Sequence, residues 1–432
     1  MKIVNSCFFA PLLAFVLVGW IFPGGGQSVT TTINDAGEEI PVEKGKLVYW
    51  HLFGGSDAAW MDKIVESYNA TNPAKQIQII PMPTDFYTKL YTAVAAGKGP
   101  DVASVHDRQI AYLRKEGIIN AVDDYAAGAK IDWSKYSDRA NDSVTFDGKH
   151  FAIPLDTLSE LFIINVDKFK AAGIPLTNNQ VSIKSPEEFK AILDKLKPVM
   201  GEGESVIACT QTGMDPFRVF AHVYFQMGGP NYITVDKASM DKPIAIRAAN
   251  YIKSLFDGGY ILPGQADHQK LFQAGQAAIF FGGTWSVGVL KNTQGLNIGV
   301  QPFPIMFGKS AYWGASHNLV MPVRKSRNAA DSQGAVDFMY WASSVGGIIW
   351  ADSGQIPANA QVRSTPEYQA LPFAKNYADI VDSIMFLPKT PGSNFIFNIM
   401  TQNLDLVWNG QNDPGVAVDG INKQLQDLID NQ

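Results

Sequence analysis

Residues 97–108 read Gly97-Lys98-Gly99-Pro100-Asp101-Val102-Ala103-Ser104-Val105-His106-Asp107-Arg108. Gly97 follows a segment with helical spacing and predicts the end of that helix, because glycine readily adopts the left-handed conformation found there. The apolar run 102–105 predicts a short buried strand. Polar side chains come directly after this strand, and a second helical pattern begins at Gln109. The stretch therefore predicts a helix–strand–helix unit with polar groups at the end of the strand.

The same alternation extends over residues 46–117. The predicted strands are 47–50, 76–80 and 102–105, and the predicted helices are 58–69, 86–96 and 109–115. This order is typical of an α/β protein with a parallel sheet and helices on both of its faces. We expect the ligand crevice at the carboxyl ends of the strands, in the loops 51–57, 81–85 and 106–108.

Strand patterns also return late in the chain. The later predicted strands are 151–154, 161–164, 277–281, 298–302 and 318–322, with helices at 185–199, 216–227, 242–257 and 268–274. The segment from 329 to the C terminus is mainly helical. Because strands return after a long helical stretch, we expect the chain to cross between two lobes more than once.

Composition excludes several classes of protein. The 432 residues are 46% hydrophobic and 18% charged, with a net charge of −6, which excludes disorder and argues against nucleic acid as a partner. Only one segment, near the N terminus, is continuously apolar, which excludes a polytopic membrane protein. The chain contains 9 Trp, 15 Tyr and 25 Phe, so some aromatic rings are available for a binding surface.

The sequence shows no pattern of a cofactor or metal site. It contains no HExxH pair of histidines, no G-x-S-x-G nucleophile motif and no Walker A loop. We therefore expect neither a cofactor nor a metal. Two cysteines exclude a disulfide scaffold, and Cys209, within an apolar run, is predicted to be a buried core residue.

The N terminus has the pattern of a secretory signal peptide, predicted as residues 1–26. Lys2 precedes the apolar run 7–22, and Gly24 and Gly26 supply the small residues of a cleavage site. An uncleaved N-terminal anchor is the alternative. The following polar residues, 27–45, are predicted to be a flexible tether or an irregular start to the fold.

Several segments, in the same order along the chain, resemble the solute-binding proteins of ABC sugar importers, the maltose-binding-protein superfamily (extracellular solute-binding family 1). The resemblance lies in the 97–108 stretch quoted above and in four further segments: TFDGKHFAIP at 145–154, LFIINVDKFKAAG at 161–173, GQAAIFFGGTW at 275–285, and GQIP at 354–357. These segments follow one another in the same order as in the family, and together they extend over nearly the whole chain after the leader.

The resemblance implies a two-lobe periplasmic-binding-protein fold of type II, with hinge strands and a solute clamped between the lobes. The implied division is 46–157 for the first lobe, 158–312 for the second, 313–365 for a return to the first, and 366–432 for C-terminal helices mainly of the second. The resemblance also implies a monomer on the periplasmic or extracellular side of the membrane. It would bind a carbohydrate and deliver it to an ABC permease, without catalysis.

The strongest site candidates match family positions. Asp107 and Arg108 match a pair that contacts sugar, and Trp285 matches a stacking tryptophan and follows two glycines, where backbone can approach a ligand closely. The alternatives are a helix N-cap for Asp107, a solvated Arg108 and core packing for Trp285. The maltose-type pattern has an acid where this chain has Leu158, which leaves Asp156 or Glu160 as replacements.

The remaining candidates rest on weaker local signals. Asp215 and Phe217 lie at the start of a predicted helix, where the alternatives are a helix N-cap for Asp215 and core packing for Phe217. Trp313 and His317 lie in a polar-aromatic segment, and Asp57 lies in a loop that lacks the family's charged pair. Asp85 and Phe395, with Asn394, are the last candidates. We expect a sugar-binding component of an ABC importer. A secreted carbohydrate-active enzyme, a hydrolase or lyase with an aromatic cleft, is the alternative, and a sensory or adhesive module of the same fold is a third possibility.

Overall fold

The computed structural model describes residues 30–55, 57–265 and 267–431. Its strands are β1 (Thr31–Ile33), β2 (Glu39–Pro41), β3 (Lys46–His51), β4 (Gln76–Pro81), β5 (Val102–His106), β6 (Ile119–Asn120), β7 (Thr145–Phe146), β8 (Lys149–His150), β9 (Ile153–Pro154), β10 (Asp156–Asn165), β11 (Ser205–Ala208), β12 (Ala277–Gly283), β13 (Ile298–Pro302), β14 (Tyr312–Ala315), β15 (His317–Pro322), β16 (Ile356–Pro357) and β17 (Ile384–Met385).

The α-helices are α1 (Ala58–Ala70), α2 (Phe86–Ala95), α3 (Asp107–Lys115), α4 (Asp123–Ala126), α5 (Asp138–Val144), α6 (Val166–Ala171), α7 (Pro186–Leu196), α8 (Met214–Gln226), α9 (Lys242–Asp257), α10 (His268–Gln273), α11 (Thr284–Leu290), α12 (Ala329–Ser343), α13 (Gly347–Asp352), α14 (Ala360–Arg363), α15 (Pro366–Gln369), α16 (Ala374–Tyr377), α17 (Ser393–Trp408) and α18 (Pro414–Asp430). Short 3-10 helices span Trp133–Lys135, Lys197–Val199 and Ala378–Ser383.

The first sheet has six strands in the order β4-β3-β5-β15-β6, with β9 also paired to β15. β3 runs parallel to β4 and β5, as predicted, whereas β15 returns from late in the chain and runs antiparallel to β5. Along β3, Leu47 and Tyr49 face one core while Val48 and Trp50 face another. Because both faces of the sheet are covered, the residues of this strand are apolar throughout and do not alternate between apolar and polar.

The second sheet has seven strands in the order β11-β12-β10-β14-β17, and β13 and β16 also pair with β10. All ten residues of β10 are buried. The core around this sheet is the largest in the described chain and also includes residues of α7, α8, α9, α17 and α18. Cys209 lies in this core and is 1% exposed, as predicted.

The chain passes between the two sheets three times in its described part. Leu155 joins β9 of the first sheet to β10 of the second, and Ser316 joins β14 of the second to β15 of the first. The third passage follows α13, which packs against α1, and first reaches the second sheet at β16, which pairs with β10, before α16 packs against β13. We call the first sheet with its helices the first lobe and the second sheet with its helices the second lobe. The lobe boundaries expected at 157–158, 312–313 and 365–366 remain predictions.

The N-terminal part differs from the expected irregular tether. Residues 31–41 form a hairpin of β1 and β2, and Ile33 and Ile40 pack against the first lobe. An ion pair between Asp35 and Lys89 adds a polar contact between this segment and the first lobe. The predicted signal peptide, 1–26, lies outside the described residues. Among the residues that are described, no helix combines the length and the apolarity needed to cross a membrane.

Candidate ligand-binding cleft between the lobes

A cavity of about 640 Å³ lies between the lobes, where the carboxyl end of β5 meets the crossing strands. This volume is within the range of small-molecule sites, about 300–1,000 Å³. Both lobes contribute side chains to it. Its lining consists of Leu52, Phe53, Gly54, Asp57, Tyr87, Tyr91, His106, Arg108, Gln109, Leu158, Met214, Arg218, Trp285, Trp313, Ala315, His317, Asn394, Phe395, Phe397 and Asn398.

The second-lobe wall is built around a guanidinium group between two indole rings. The Arg218 guanidinium carbon lies 4.5 Å from the ring centroid of Trp285 and 5.3 Å from that of Trp313. Both distances are within cation–π range. Trp285 is the second residue of α11, after Gly283 and Thr284, and a side chain at Gly283 would overlap the indole ring. The Gly-Gly-Thr-Trp segment therefore positions this ring by leaving room for it.

A partly buried cluster of charged groups contacts Arg218 on the side away from the cavity. Its Nη1 donates a hydrogen bond of 2.9 Å to Asp215, whose other oxygen lies 3.3 Å from Nε2 of His268. Glu160 Oε2 lies 3.7 Å from Arg218 Nε, and neither Glu160 oxygen has a hydrogen-bond partner among the described residues. Burial raises the pKa of Glu160 to about 8, although the Arg218 charge opposes this shift. Burial therefore favours the protonated form of Glu160, and Asp215 is the carboxylate that forms the hydrogen-bonded ion pair with Arg218.

The first-lobe wall carries a second buried polar cluster. Asp156 accepts hydrogen bonds from the backbone N–H and Nδ1 of His317, at 2.7 and 2.8 Å, and from Nε1 of Trp350 at 2.7 Å. Burial lowers the pKa of His317, but the charges of Asp156 and Asp57 and the bond to Asp156 raise it further, to above its ordinary value. The His317 ring is thus fixed at the cavity surface.

Asp57 lines the cavity beside this cluster. One of its oxygens accepts a hydrogen bond of 2.9 Å from Gln355, and the other has no partner among the described residues. Burial raises the pKa of Asp57 to about 7, against the opposing effect of the Gln355 hydrogen bond. Its free oxygen can accept or donate a hydrogen bond to a ligand.

Helices α2, α3 and α17 close the third side. Tyr87 and Tyr91 are four residues apart on α2 and therefore share a face, and Tyr87 shares a 2.8 Å hydrogen bond with the His106 ring. The Arg108 guanidinium carbon lies 4.8 Å from the ring centroid of Phe397 on α17. A further contact, from the Gln109 amide to Asn394, also joins the lobes here.

The structure brings six of the predicted site residues to the cavity. They are Asp57, Arg108, Trp285, Trp313, His317 and Phe395, together with Asn394. Trp313 is 4% exposed, so it serves both the core and the cavity wall.

Three predicted residues lie behind the cavity wall. Asp107 is partly buried at the start of α3, accepts a hydrogen bond from the Ser316 N–H, and has a pKa raised by desolvation. Asp215 holds Arg218, and Asp156 holds His317. Local sequence placed these acids near the cleft, but in each case the neighbouring side chain reaches it.

Two residues predicted to line the cleft do not do so in the structure. Phe217 is 0% exposed and packs against Tyr232 and Phe397, because α8 turns this face to the core. Asp85 is exposed at the start of α2, in a left-handed turn with φ of 48°, and does not line the cavity. The same helix presents Tyr87 to the cavity instead.

Sequence reasoning missed Tyr87, Tyr91 and Arg218. The two tyrosines lie on a helix whose apolar spacing is typical of core packing. Arg218 comes three residues after Asp215, and this i, i+3 spacing could have predicted the ion pair that the structure shows. In the described ranges, no group of three His, Cys, Asp or Glu residues could hold a metal ion. The cleft offers aromatic faces and hydrogen-bonding groups, which suit a ligand with apolar faces and a polar rim.

The sequence pattern of the bacterial extracellular solute-binding proteins matches residues 63–376 of the chain. The chain belongs to this family. This confirms the resemblance drawn from the segments between 97 and 357. A relative in Pyrococcus abyssi, a maltotriose-binding protein, is 24% identical over 410 residues, which are 91% of this chain and 83% of that protein.

Solved structures of other solute-binding proteins share the fold. The GacH receptor of Streptomyces glaucescens, solved unliganded and with acarbose, is 20% identical over 90% of this chain and 99% of its own, with a TM-score of 0.78. UgpB of Mycobacterium tuberculosis, solved with glycerophosphocholine, is 19% identical over 90% of this chain and all of its own, again with a TM-score of 0.78. These similarities confirm the two-lobe α/β fold.

Proposed function

We propose that this solute-binding protein captures a sugar or oligosaccharide in the cavity between its lobes. The observation that carries the proposal is the combination of flat rings and fixed polar groups in one cavity. Trp285 and Trp313 present ring surface from the second lobe, while Asp57 and His317 present polar atoms from the first. A sugar ring has apolar C–H faces and a rim of hydroxyl groups, so both kinds of surface are matched.

Of the two arginines that line the cavity, one already has a carboxylate partner. Arg218 is balanced by Asp215, and Asp57 supplies an oxygen that suits a hydroxyl group. The maltotriose-binding relative and the acarbose-binding structure support carbohydrate, whereas the glycerophosphocholine complex shows that the fold also holds a phosphodiester. Arg108, which lies against the Phe397 ring, forms no ion pair among the described residues, so a phosphodiester belongs in the test as a competing ligand class.

Hinge closure would link binding to transport. Because the cavity is lined from both lobes, a ligand gains its full set of contacts only when the lobes close around it, which shifts the open–closed equilibrium. Periplasmic binding proteins are the standard example of such closure, so this step is inferred from the family as well as from the geometry. The exported location, the monomeric state, the absence of catalysis and the ABC permease that would receive the ligand are parts of the same proposal.

A thermal-shift screen of mono- and oligosaccharides tests it. A ligand at about 100 times its Kd stabilises the protein by about 2.7 kcal/mol. Trp285→Ala should abolish the shift, while Trp408→Phe, in the core of the second lobe, should lower the melting temperature and keep the shift. A shift with glycerophosphocholine and none with any sugar would overturn the sugar assignment. Release of shorter sugars on long incubation would instead favour the enzyme alternative.

A further inference from the structure

A row of aromatic rings leads out of the cleft. Ring centroids are 6.4 Å apart for Tyr87 and Tyr91, 5.7 Å for Tyr91 and Tyr112, and 6.1 Å for Tyr112 and Phe395. Tyr87 and Tyr91 line the cavity, but Tyr112 does not. The row therefore continues beyond the cavity wall.

Tyr112 and Phe395 also line a second depression, which we call the distal groove. Its volume is about 490 Å³, and Phe395, which is 42% exposed, lines both spaces. The groove therefore starts where the cleft ends. Its lining consists of Tyr112, Lys115, Pro391, Gly392, Phe395, Ile399, Gln424, Asp427, Leu428 and Asn431.

The distal groove has the same two-part chemistry as the cleft. Tyr112, Phe395 and Leu428 provide apolar surface, and Gln424 and Asn431 provide amide groups. Helix α3 of the first lobe forms one side, and α17 and α18 of the second form the other. An occupant of the groove would therefore contact both lobes, as a ligand in the cleft does.

We propose that the distal groove binds the outer units of an oligosaccharide whose inner units occupy the cleft. This inference rests on the proposed function and deepens it, because it assigns the ligand to chains longer than the cleft alone contains. The occupant is the same ligand molecule, since the groove adjoins the cleft at Phe395 and the ring row runs through both. Tyr112 is the ring on which an outer unit would stack.

Isothermal titration calorimetry with a series of linear α-1,4-linked glucose chains, from monosaccharide to heptasaccharide, tests the proposal. If the thermal-shift screen identifies another sugar, the series is made of that sugar. We expect the affinity to rise by about threefold to tenfold as the chain becomes long enough to reach the groove. Tyr112→Ala and Leu428→Ser should remove this gain and leave the affinity for the shortest bound sugar unchanged.

Leu406→Ala is the matched control, because Leu406 is a partly exposed apolar residue of the same helix, α17, outside the groove. It should keep the dependence on chain length. A wild-type affinity that does not change with length would overturn the distal site alone, and so would an equal loss at all lengths in both groove variants. Failure of every sugar to bind would overturn the proposed function and this inference with it.

Discussion

Arg218 is the residue on which the second-lobe wall depends. Its planar guanidinium contacts two indole rings while it donates to Asp215, and an ammonium group cannot make all these contacts at once. We predict that Arg218→Lys weakens sugar binding about tenfold, which corresponds to ~1.4 kcal/mol. Calorimetric titration measures this loss. Arg247→Lys, on the exposed side of α9, should bind as the wild type does, and an equal affinity of both variants would contradict the prediction.

Asp57 should make stability depend on pH. Its pKa in the folded protein is about 7, above its unfolded value of about 4. As pH rises from about 4 to 7, the unfolded chain loses this proton and the folded protein retains it, so the free energy of unfolding decreases by up to about 4 kcal/mol. This decrease is complete above the folded pKa.

The variant Asp57→Asn isolates this effect, because its amide oxygen can still accept from Gln355. We predict that Asp57→Asn becomes progressively more stable than the wild type between about pH 4 and 7. Denaturant unfolding of both proteins over this range measures the difference. A constant difference between the two proteins at every pH would show that Asp57 does not titrate as described.

Some cleft residues could be predicted from their neighbours in the sequence, and others could not. Trp285 was recognisable because two glycines precede it and leave space for its ring. Tyr87 was not, because a tyrosine at helical spacing has the same pattern whether it faces a core or a cavity. Phe217 shows the reverse error: its position beside an N-terminal acid suggested the cleft, yet the rotation of α8 buries it.

At the scale of elements, helix α11 packs closely against the backbone at Ser353, and Gly288 is the residue at this contact. The Gly288 N–H donates a 2.8 Å hydrogen bond to the Ser353 carbonyl, and a Cβ at Gly288 would lie 2.6 Å from that oxygen and 2.8 Å from Trp60. We predict that Gly288→Ala destabilises the protein by about 1–3 kcal/mol through overpacking, although alanine favours a helix. Calorimetric melting measures the change.

Gly420→Ala is the matched control, in the middle of α18. An added Cβ there would meet only the tip of the Asn403 side chain, at 2.9 Å. Helix propensity should therefore dominate and leave the stability unchanged or increased by up to about 1 kcal/mol. The prediction fails if both variants shift the melting temperature in the same direction.

Elements with clear periodicity could be predicted from the sequence, and those stabilised by tertiary contacts could not. The pattern at 242–257 predicts α9 to the residue, since an N-cap and a Pro start it. In contrast, β10 was predicted only as 161–164. Its first half contains Asp156, which looks like a loop residue until His317 and Trp350 supply its hydrogen bonds.

At the scale of the whole molecule, the contacts between the lobes join residues far apart in the chain. The late return of strands could predict that the chain crosses between lobes, because the first two crossings are visible as strand patterns. It could not predict which surfaces meet, since α3 and α17 are separated by nearly three hundred residues. The distal groove exists only through that meeting, and so only the structure could reveal it.

One interlobe contact lies outside the cavity and can be changed without touching a ligand. Lys389 Nζ lies 2.7 Å from an Asp142 oxygen and also donates to the Thr145 carbonyl. Both residues are exposed, and such pairs contribute about 0.2–1 kcal/mol. If the contact favours the closed lobes, its loss must lower ligand affinity, because the binding-competent state becomes less populated.

We therefore predict that Lys389→Ala raises the Kd about two- to fivefold at low salt, mainly through faster dissociation. The effect should fade at high salt, because screening already weakens an exposed pair. Lys253→Ala is the control, since Lys253 pairs with Asp257 within α9 and joins no lobes. Stopped-flow dissociation and titration at two salt concentrations measure both variants. An unchanged Kd in Lys389→Ala would show that this contact is made equally in the open and closed forms.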